Sequence, residues 1–210
     1  MFAGKPIIGI AGGIGSGKSR VAQFFGELGC IVLIADAQVR ELYRDPVVKQ
    51  TLGSWWGDAV FTPAGEVDRS AVAGKIFADP EQRRRLEQLL HPLVTQQRDA
   101  AMRAAANDSS VAGYVWDIPL LFENDLHRQC DAVVFVEAPL ELRLERVRAD
   151  RGWSRAQLLE RENLQMPLDK KREMSDYILR NSADASYARS QVRELLTRIL
   201  ADLPGRLNEG

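Results

Sequence analysis

Five short apolar runs alternate with longer stretches of helical period along this chain. The runs cover residues 7–11, 31–35, 113–117, 132–136 and 177–179. Continuous apolar runs of this length are typical of strands buried on both faces of a parallel sheet. The alternation predicts an α/β fold with a five-stranded parallel sheet. A last amphipathic helix is expected over residues 186–203, followed by a frayed tail.

The spacing of these runs is uneven, and two long intervals stand out. Almost 80 residues separate the second and third runs, too many for a plain crossover helix. We expect an inserted helical substrate domain over residues 37–111, in which the stretch TLGSWWGDAVFTPAGEVDR is rich in loops and one helix restarts at Asp79-Pro80. Residues 140–174 form a second, arginine-rich helical segment that we interpret as a lid. The core then comprises residues 1–36, 112–139 and 175–210.

A glycine-rich stretch, GIAGGIGSGKSR, follows the first apolar run. Gly12, Gly17, Lys18 and Ser19 match the pattern of a phosphate-binding P-loop, and an apolar helical pattern follows them. Such a loop turns backbone N–H groups toward phosphate oxygens at a helix N-terminus. Lys18 is expected to reach the β- and γ-phosphates of ATP, and the Ser19 hydroxyl to bind Mg²⁺. The alternative is a tight strand-to-helix turn that carries a lysine by chance.

Two aspartates lie at the carboxyl ends of predicted strands. In parallel sheets the ligand site lies beyond the carboxyl ends of the strands, so Asp36 is expected to face the same crevice as the loop. Its carboxylate either accepts a substrate proton during phosphoryl transfer or caps a helix that begins at Ala37. Asp117 ends the third strand and resembles the acidic residue that holds Mg²⁺ in P-loop enzymes, through water or directly.

Composition limits the other functions that this sequence could have. The 210 residues are 45% hydrophobic, and their formal net charge of −1 predicts no field that would attract nucleic acid. No apolar run approaches the roughly 20 residues of a membrane helix, so no membrane span is expected. No secretory signal is expected, because the opening residues MFAGKP lead straight into the first apolar run. Cys30 and Cys130 are expected to be free thiols in a reducing, cytoplasmic compartment. His91 is either a packed or surface residue or part of a substrate pocket, and no zinc site is expected.

The arginines of the 140–174 segment alternate with carboxylates. The arginines that cluster in its first part are Arg143, Arg146, Arg148, Arg151, Arg155 and Arg161. One interpretation is a solvated helix face with i,i+4 ion pairs. The other is a lid whose arginines close over ATP phosphates. We expect two or three of these arginines to be functional and the others to lie on the surface.

Taken together, these stretches resemble the dephospho-coenzyme A kinase family over nearly the whole chain. The matching pieces are GIAGGIGSGKS, ADAQVREL, GEVDR, IFADPEQRRRLEQLLHP, DIPLLFEN, RENLQ and SDYILRN. The loop alone occurs in many unrelated ATPases, whereas the HP and DIPLLFE stretches in this order are far more specific. The resemblance implies transfer of the γ-phosphoryl group of ATP to the ribose 3′-hydroxyl of dephospho-CoA, with Mg²⁺. It also implies a three-layer P-loop core with a helical substrate domain and a helical lid. We expect the chain to act as a monomer, with an oligomer as the alternative.

The resemblance also implies roles for individual residues. Asp36 matches the catalytic base, which acts with Lys18. The ATP-binding residues are Gly13, Ile14, Gly15, Ser16, Gly17, Lys18, Ser19, Arg20, Arg146, Arg151 and Asn181. The substrate-binding residues are Asp36, Arg40, Arg69, His91, Pro119 and Leu120, with Gln165 in the lid. Ser19 and, through water, Asp117 are the metal ligands.

Three positions depart from the family pattern. Arg20 stands where the family usually has threonine, and Ile34 stands where an aspartate is common, which leaves Asp36 as the single carboxylate of that strand end. The lid reads Asp150-Arg151-Gly152 in place of Arg-Asp-Gly, which leaves open which arginine reaches the phosphates. The alternative function is that of another P-loop small-molecule kinase, of nucleoside-monophosphate or shikimate type. A GTPase is disfavoured because the chain has no Asn-Lys-x-Asp stretch.

Overall fold

The computed structural model describes residues 1–182 and 184–206. They form two compact units: unit 1 comprises the described residues up to Ile34 and from Ala104 onward, and unit 2 comprises Ala35–Arg103. In chain order the elements are β1 (Ile7–Gly12), α1 (Lys18–Glu27), β2 (Cys30–Ile34), α2 (Ala35–Leu42), α3 (Pro46–Trp56), α4 (Arg69–Ala78), α5 (Pro80–Ala104), β3 (Gly113–Asp117), β4 (Ala132–Glu137), α6 (Leu140–Arg151), α7 (Arg155–Glu162), α8 (Leu168–Glu173), β5 (Tyr177–Arg180) and α9 (Ala185–Arg206).

Unit 1 is built on a five-stranded sheet in which every pair of neighbouring strands is parallel. The strand order is β2-β3-β1-β4-β5. β1 lies at the centre, with Ile10 beside Asp117 of β3 and Gly12 beside Val136 of β4. The carboxyl ends of β1, β3 and β4 therefore meet at one edge of the sheet, where P-loop folds place their ligands.

The core of unit 1 explains why these segments form strands and helices. Ile8 and Ile10 of β1 are fully buried and belong to one apolar cluster with Phe25 of α1 and Ile199 of α9. Helix α8 packs near β1 as well.

The five predicted strands are confirmed, with ends that shift by one residue or none, and the α/β class with a parallel sheet is confirmed with them.

The last helix is longer than predicted. Helix α9 runs over Ala185–Arg206, whereas the apolar period had placed its end at residue 203. Of the tail that we expected to be frayed, residues 207–210 lie outside the described part of the chain.

Unit 2 consists of helices α2 to α5 packed around their own apolar cluster. This cluster includes Leu42, Val48, Leu52, Leu86 and Leu90. The prediction of a loop-rich stretch from residue 51 was wrong in its first part, because residues 51–56 belong to α3.

The start of α3 carries a signal that the sequence analysis did not use. Asp45 is the N-cap residue, its carboxylate accepts from the N–H groups of Val47 and Val48, and Pro46 occupies the first turn. The restart of a helix at Asp79-Pro80 was predicted correctly, and Asp79 accepts from the N–H of Glu81 in the same way.

Two further findings concern the whole of the described chain. None of its described helices is long and apolar enough to cross a bilayer. Cys30 and Cys130 are both free thiols, and burial raises the pKa of Cys30 to about 12, so this thiol is not a nucleophile at neutral pH.

Candidate active site

The glycine-rich loop lies between the end of β1 and the start of α1. Gly17 has a φ of +87°, in the left-handed region that favours glycine, and a Cβ there would collide with the Asn181 side chain. Helix α1 then begins at Lys18, and its first backbone bond runs from Val21 N–H to the Gly17 carbonyl. The first N–H groups of an α-helix have no acceptor within the helix, so they form an anion-binding end here.

The five carbonyls from Gly12 to Ser16 each accept a hydrogen bond from a side chain. Lys18 Nζ donates to the carbonyls of Gly12 and Gly13, both at 3.0 Å. Arg143 Nη1 donates to the Ile14 carbonyl at 3.3 Å. Arg146 Nη1 donates to the carbonyls of Gly15 and Ser16 at 3.3 and 3.1 Å, and Asn181 Nδ2 donates to the Ser16 carbonyl at 2.7 Å. Because these donors hold the loop carbonyls, the loop is ordered on its carbonyl side, and the N–H groups at the start of α1 remain for an anionic ligand.

Lys18 is the first residue of α1 and is partly buried. Removal of its ammonium group from water lowers the pKa of Lys18 from its ordinary value of 10.5 to about 8. The Asp117 carboxylate opposes this fall, whereas the Lys171 ammonium adds to it. A lysine in this setting gains most from a ligand that brings negative charge, because such a ligand replaces the lost hydration.

Asp117 and Ser19 are the candidate metal ligands of this site. Asp117 is the last residue of β3, is 5% exposed, and interacts electrostatically with Lys18. Ser19 is exposed in the first turn of α1. A carboxylate and a hydroxyl are hard oxygen ligands, and Mg²⁺ commonly takes only one or two protein ligands together with phosphate oxygens and water. The residues present therefore fit Mg²⁺ carried with ATP. Within the described residues no group of three His, Cys, Asp or Glu side chains forms a self-sufficient metal site.

Helices α6 to α8 bring further charged side chains toward the loop. The guanidinium groups of Arg151 and Arg161 lie 4.8 and 4.2 Å from the Trp153 ring centre. Arg151 also contributes to the lowered pKa of Lys18, so its charge acts at the loop. Two exposed arginines thus share one aromatic platform, which holds their planar groups at low entropic cost.

A buried lysine in α8 was missed by the sequence analysis. Lys171 is 2% exposed, and its ammonium lies 2.8 Å from Glu123 Oε1 and 3.0 Å from Gln165 Oε1. Burial of Glu123 would raise its pKa, but hydrogen bonds from Lys171 and from the Met166 N–H outweigh burial and lower it. No spacing in the sequence distinguishes Lys171 from its exposed neighbours, since the pairing joins residues that are 48 positions apart.

Asp36 was placed incorrectly by the strand prediction. Strand β2 ends at Ile34 and helix α2 begins at Ala35, so Asp36 is the second residue of the helix and does not cap one that begins at Ala37. Its side chain is exposed. A carboxylate in a first helical turn interacts favourably with the helix dipole, which is the structural alternative to a catalytic role.

The other residues predicted for the substrate side lie at exposed or partly exposed positions. Arg40 is in the last turn of α2, Arg69 is the first residue of α4, and His91 is exposed within α5. Pro119 and Leu120 form the turn that follows Asp117 in unit 1. Arg69 acts electrostatically on Tyr43, whose pKa is raised mainly by burial.

The family model and the curated relatives indicate the same family. Residues 6–186 match the family model described as dephospho-CoA kinase. A dephospho-CoA kinase of Deinococcus radiodurans is 39% identical over 192 residues, which are 91% of each chain. The crystal structure of TT1252 from Thermus thermophilus has a TM-score of 0.75 at 34% identity and covers 92% of this chain and 97% of its own. A dephospho-CoA kinase from Campylobacter jejuni shares the fold, with a TM-score of 0.63 at 20% identity over 93% of this chain and 98% of its own.

Proposed function

This chain belongs to the dephospho-CoA kinase family, and from that membership we propose how its residues carry out the ATP-dependent phosphorylation of dephospho-CoA to CoA. The observation that carries the proposal is the set of side-chain donors on the loop carbonyls from Gly12 to Ser16. These bonds order the loop before the nucleotide arrives, so less conformational entropy is lost when ATP binds.

The ATP phosphates are proposed to bind the backbone of residues 13–20 at the start of α1. Lys18 leaves the carbonyls of Gly12 and Gly13 for the β- and γ-phosphates, where its charge offsets the charge that develops during transfer. Arg146 and Asn181 support ATP binding by holding the loop. Arg151 is the lid arginine best supported as a phosphate contact, because its charge already acts on Lys18.

Magnesium is proposed as the metal that accompanies ATP, with Ser19 and Asp117 as the residues that hold it. When bound, Mg²⁺ neutralises charge on the β- and γ-phosphate oxygens. The charged side chains around Lys18 act on the phosphates together with the metal. The protein itself orients the phosphates and excludes water from the Lys18 ammonium group.

Unit 2 is proposed to bind dephospho-CoA. Asp36 orients the ribose 3′-hydroxyl and accepts its proton, and Arg40, Arg69 and His91 contact the substrate, as do Pro119 and Leu120 in unit 1. Residues 140–174 are proposed to act as the lid over ATP. The free thiols of Cys30 and Cys130 favour a reducing, cytoplasmic compartment, in which we propose that the enzyme acts as a monomer without nucleic-acid or membrane partners.

The lowered pKa of Lys18 predicts a pH dependence of ATP binding. Below pH 8 the lysine is protonated with or without ATP, whereas above pH 8 the free enzyme loses the proton that ATP must restore. With a pKa of about 8, ATP should bind about tenfold more weakly at pH 9 than at pH 7.5. Calorimetric titration of the enzyme with ATP at both pH values checks this, with Lys18→Ala as the control that lacks the effect. Equal dissociation constants at both pH values would show that Lys18 keeps an ordinary pKa.

Acceptor choice tests the proposed function against its alternative. ATP consumption is measured with dephospho-CoA, AMP, CMP and shikimate side by side. Because remote contacts with the substrate help to position the ribose hydroxyl, we expect kcat/KM for dephospho-CoA to exceed that for AMP by about 10²-fold or more. Equal values for dephospho-CoA and AMP would favour a nucleoside-monophosphate kinase, and turnover of shikimate alone would favour a shikimate kinase.

A further inference from the structure

One residue of the phosphate loop is held at both of its backbone polar groups by a single ion pair. The N–H of Ile14 donates to Glu162 Oε1 at 3.1 Å, and the carbonyl of Ile14 accepts from Arg143 Nη1 at 3.3 Å. The same two side chains, from α6 and α7, are bonded to each other. The contact joins segments that are almost 150 residues apart in the chain.

This ion pair differs in burial from a second one between the same two helices. The side chains of Arg143 and Glu162 are 8% and 12% exposed, whereas those of Arg155 and Glu141 are 56% and 79% exposed. Exposed pairs are screened by water and contribute little. A buried pair is costly to desolvate and is a weak source of stability, so its other contacts indicate what it does.

The loop is shaped to receive this pair. A Cβ on Gly13 would lie 2.5 Å from Arg143 Nη1 and 2.9 Å from Glu162 Oε1, so only glycine leaves space for both side chains. The Ile14 side chain packs against the apolar cluster of Leu144, Val147 and Leu158 from the same two helices. Backbone and side chain of Ile14 are therefore both attached to α6 and α7.

We propose that Arg143 and Glu162 are positioning residues for the reaction, which set the conformation of the phosphate loop through Ile14. Glycine on both sides of Ile14 would otherwise leave this part of the loop free to rotate. With the Ile14 peptide groups held, the loop is already in the form that ATP requires, and the segment of α6 and α7 is coupled to it. Arg143 Nη1 donates to both the Ile14 carbonyl and the Glu162 carboxylate, so one guanidinium nitrogen links the loop to α7.

The inference rests on the proposed function of the loop, and its test separates the two. The double variant Arg143→Met/Glu162→Met removes both buried charges together and so avoids leaving one of them unpaired. The control Glu141→Met/Arg155→Met removes the exposed pair between the same helices. The melting temperature, the calorimetric dissociation constant of ATP, and kcat and KM for both substrates are measured for each variant and for the parent enzyme.

We expect the Arg143→Met/Glu162→Met variant to fold and to bind ATP more weakly. A displacement of about 1 Å in a binding group costs up to about 10²-fold, so kcat/KM for ATP should fall by about 10- to 10²-fold while KM for dephospho-CoA changes by less than about twofold. The control variant should match the parent. A folded Arg143→Met/Glu162→Met variant with parental ATP binding and kinetics would overturn the inference. A parent enzyme that binds ATP but does not phosphorylate dephospho-CoA would overturn the proposed function and leave the inference about Arg143 and Glu162 standing.

Single variants keep the test decisive if the double variant does not fold. Glu162→Gln retains an oxygen for the Ile14 N–H and should keep ATP binding within about threefold of the parent, whereas Glu162→Ala should weaken it by about tenfold or more. If the ion pair only stabilises the fold, both variants should lower the melting temperature and neither should change ATP binding in the folded protein. That second pattern would overturn the proposal.

Discussion

Replacement of Lys18 by alanine is expected to leave the protein folded and to lower kcat by several orders of magnitude. The ammonium group offsets charge that develops as the γ-phosphoryl group departs, and in the partly buried setting of Lys18 no water takes over that task fully. Lys18 also donates to the carbonyls of Gly12 and Gly13, so alanine is expected to raise KM for ATP as well. Steady-state kinetics with dephospho-CoA and ATP check the loss.

The control for this experiment is a lysine that lies away from the loop. Lys75 is exposed on α4, and Lys75→Ala should keep parental kinetics and melting temperature. Circular dichroism and thermal melting establish that Lys18→Ala is folded. Near-normal kcat in a folded Lys18→Ala protein would contradict the assignment of residues 12–19 as the phosphate loop.

Replacement of Asp36 by asparagine is expected to lower kcat roughly 10²–10⁴-fold, the usual range for general acid–base catalysis. The loose transition state of phosphoryl transfer needs little activation of the nucleophile, so the lower end of that range is expected. KM for dephospho-CoA should change less than kcat, because an amide still hydrogen-bonds the 3′-hydroxyl. Stability should fall by no more than about 0.3–1 kcal/mol, the contribution of a charge in the first turn of a helix.

Asp45 provides a matched control in the same helical unit. Its carboxylate caps α3, and asparagine caps a helix about as well as aspartate, so Asp45→Asn should keep both stability and turnover. A kcat for Asp36→Asn above about half of the parental value at neutral pH would show that Asp36 serves α2 alone.

The parts of the fold that could be predicted are those that local sequence determines. Buried parallel strands appear as continuous apolar runs, and the Gly12–Ser19 pattern requires its strand-loop-helix setting. Helix starts depend on one or two residues and are harder to place. The start at Pro80 was predicted. The start at Pro46 was missed, because residues 51–56 of the same helix were interpreted as loop, and Asp36 was placed outside α2 although that helix begins at Ala35.

The contacts that shape the site could not be predicted from spacing. The arginines of residues 140–174 alternate with carboxylates in the way that a solvated helix face does, yet Arg143 is buried on the loop and Arg148 is exposed. Lys171 is likewise buried against Glu123. Each of these pairings joins two different segments of the chain. The role of such a charge depends on its burial, which only the folded chain shows.

The most direct test of the account is the structure of the enzyme with dephospho-CoA, Mg²⁺ and a non-hydrolysable ATP analogue. We predict that the analogue's phosphates lie on the N–H groups at the start of α1, with the Lys18 ammonium on the β- and γ-phosphates and a carboxylate oxygen of Asp36 at about 3 Å from the ribose 3′-hydroxyl. A complex in which that hydroxyl faces the γ-phosphate but is held by another residue, with Asp36 turned to solvent, would contradict it.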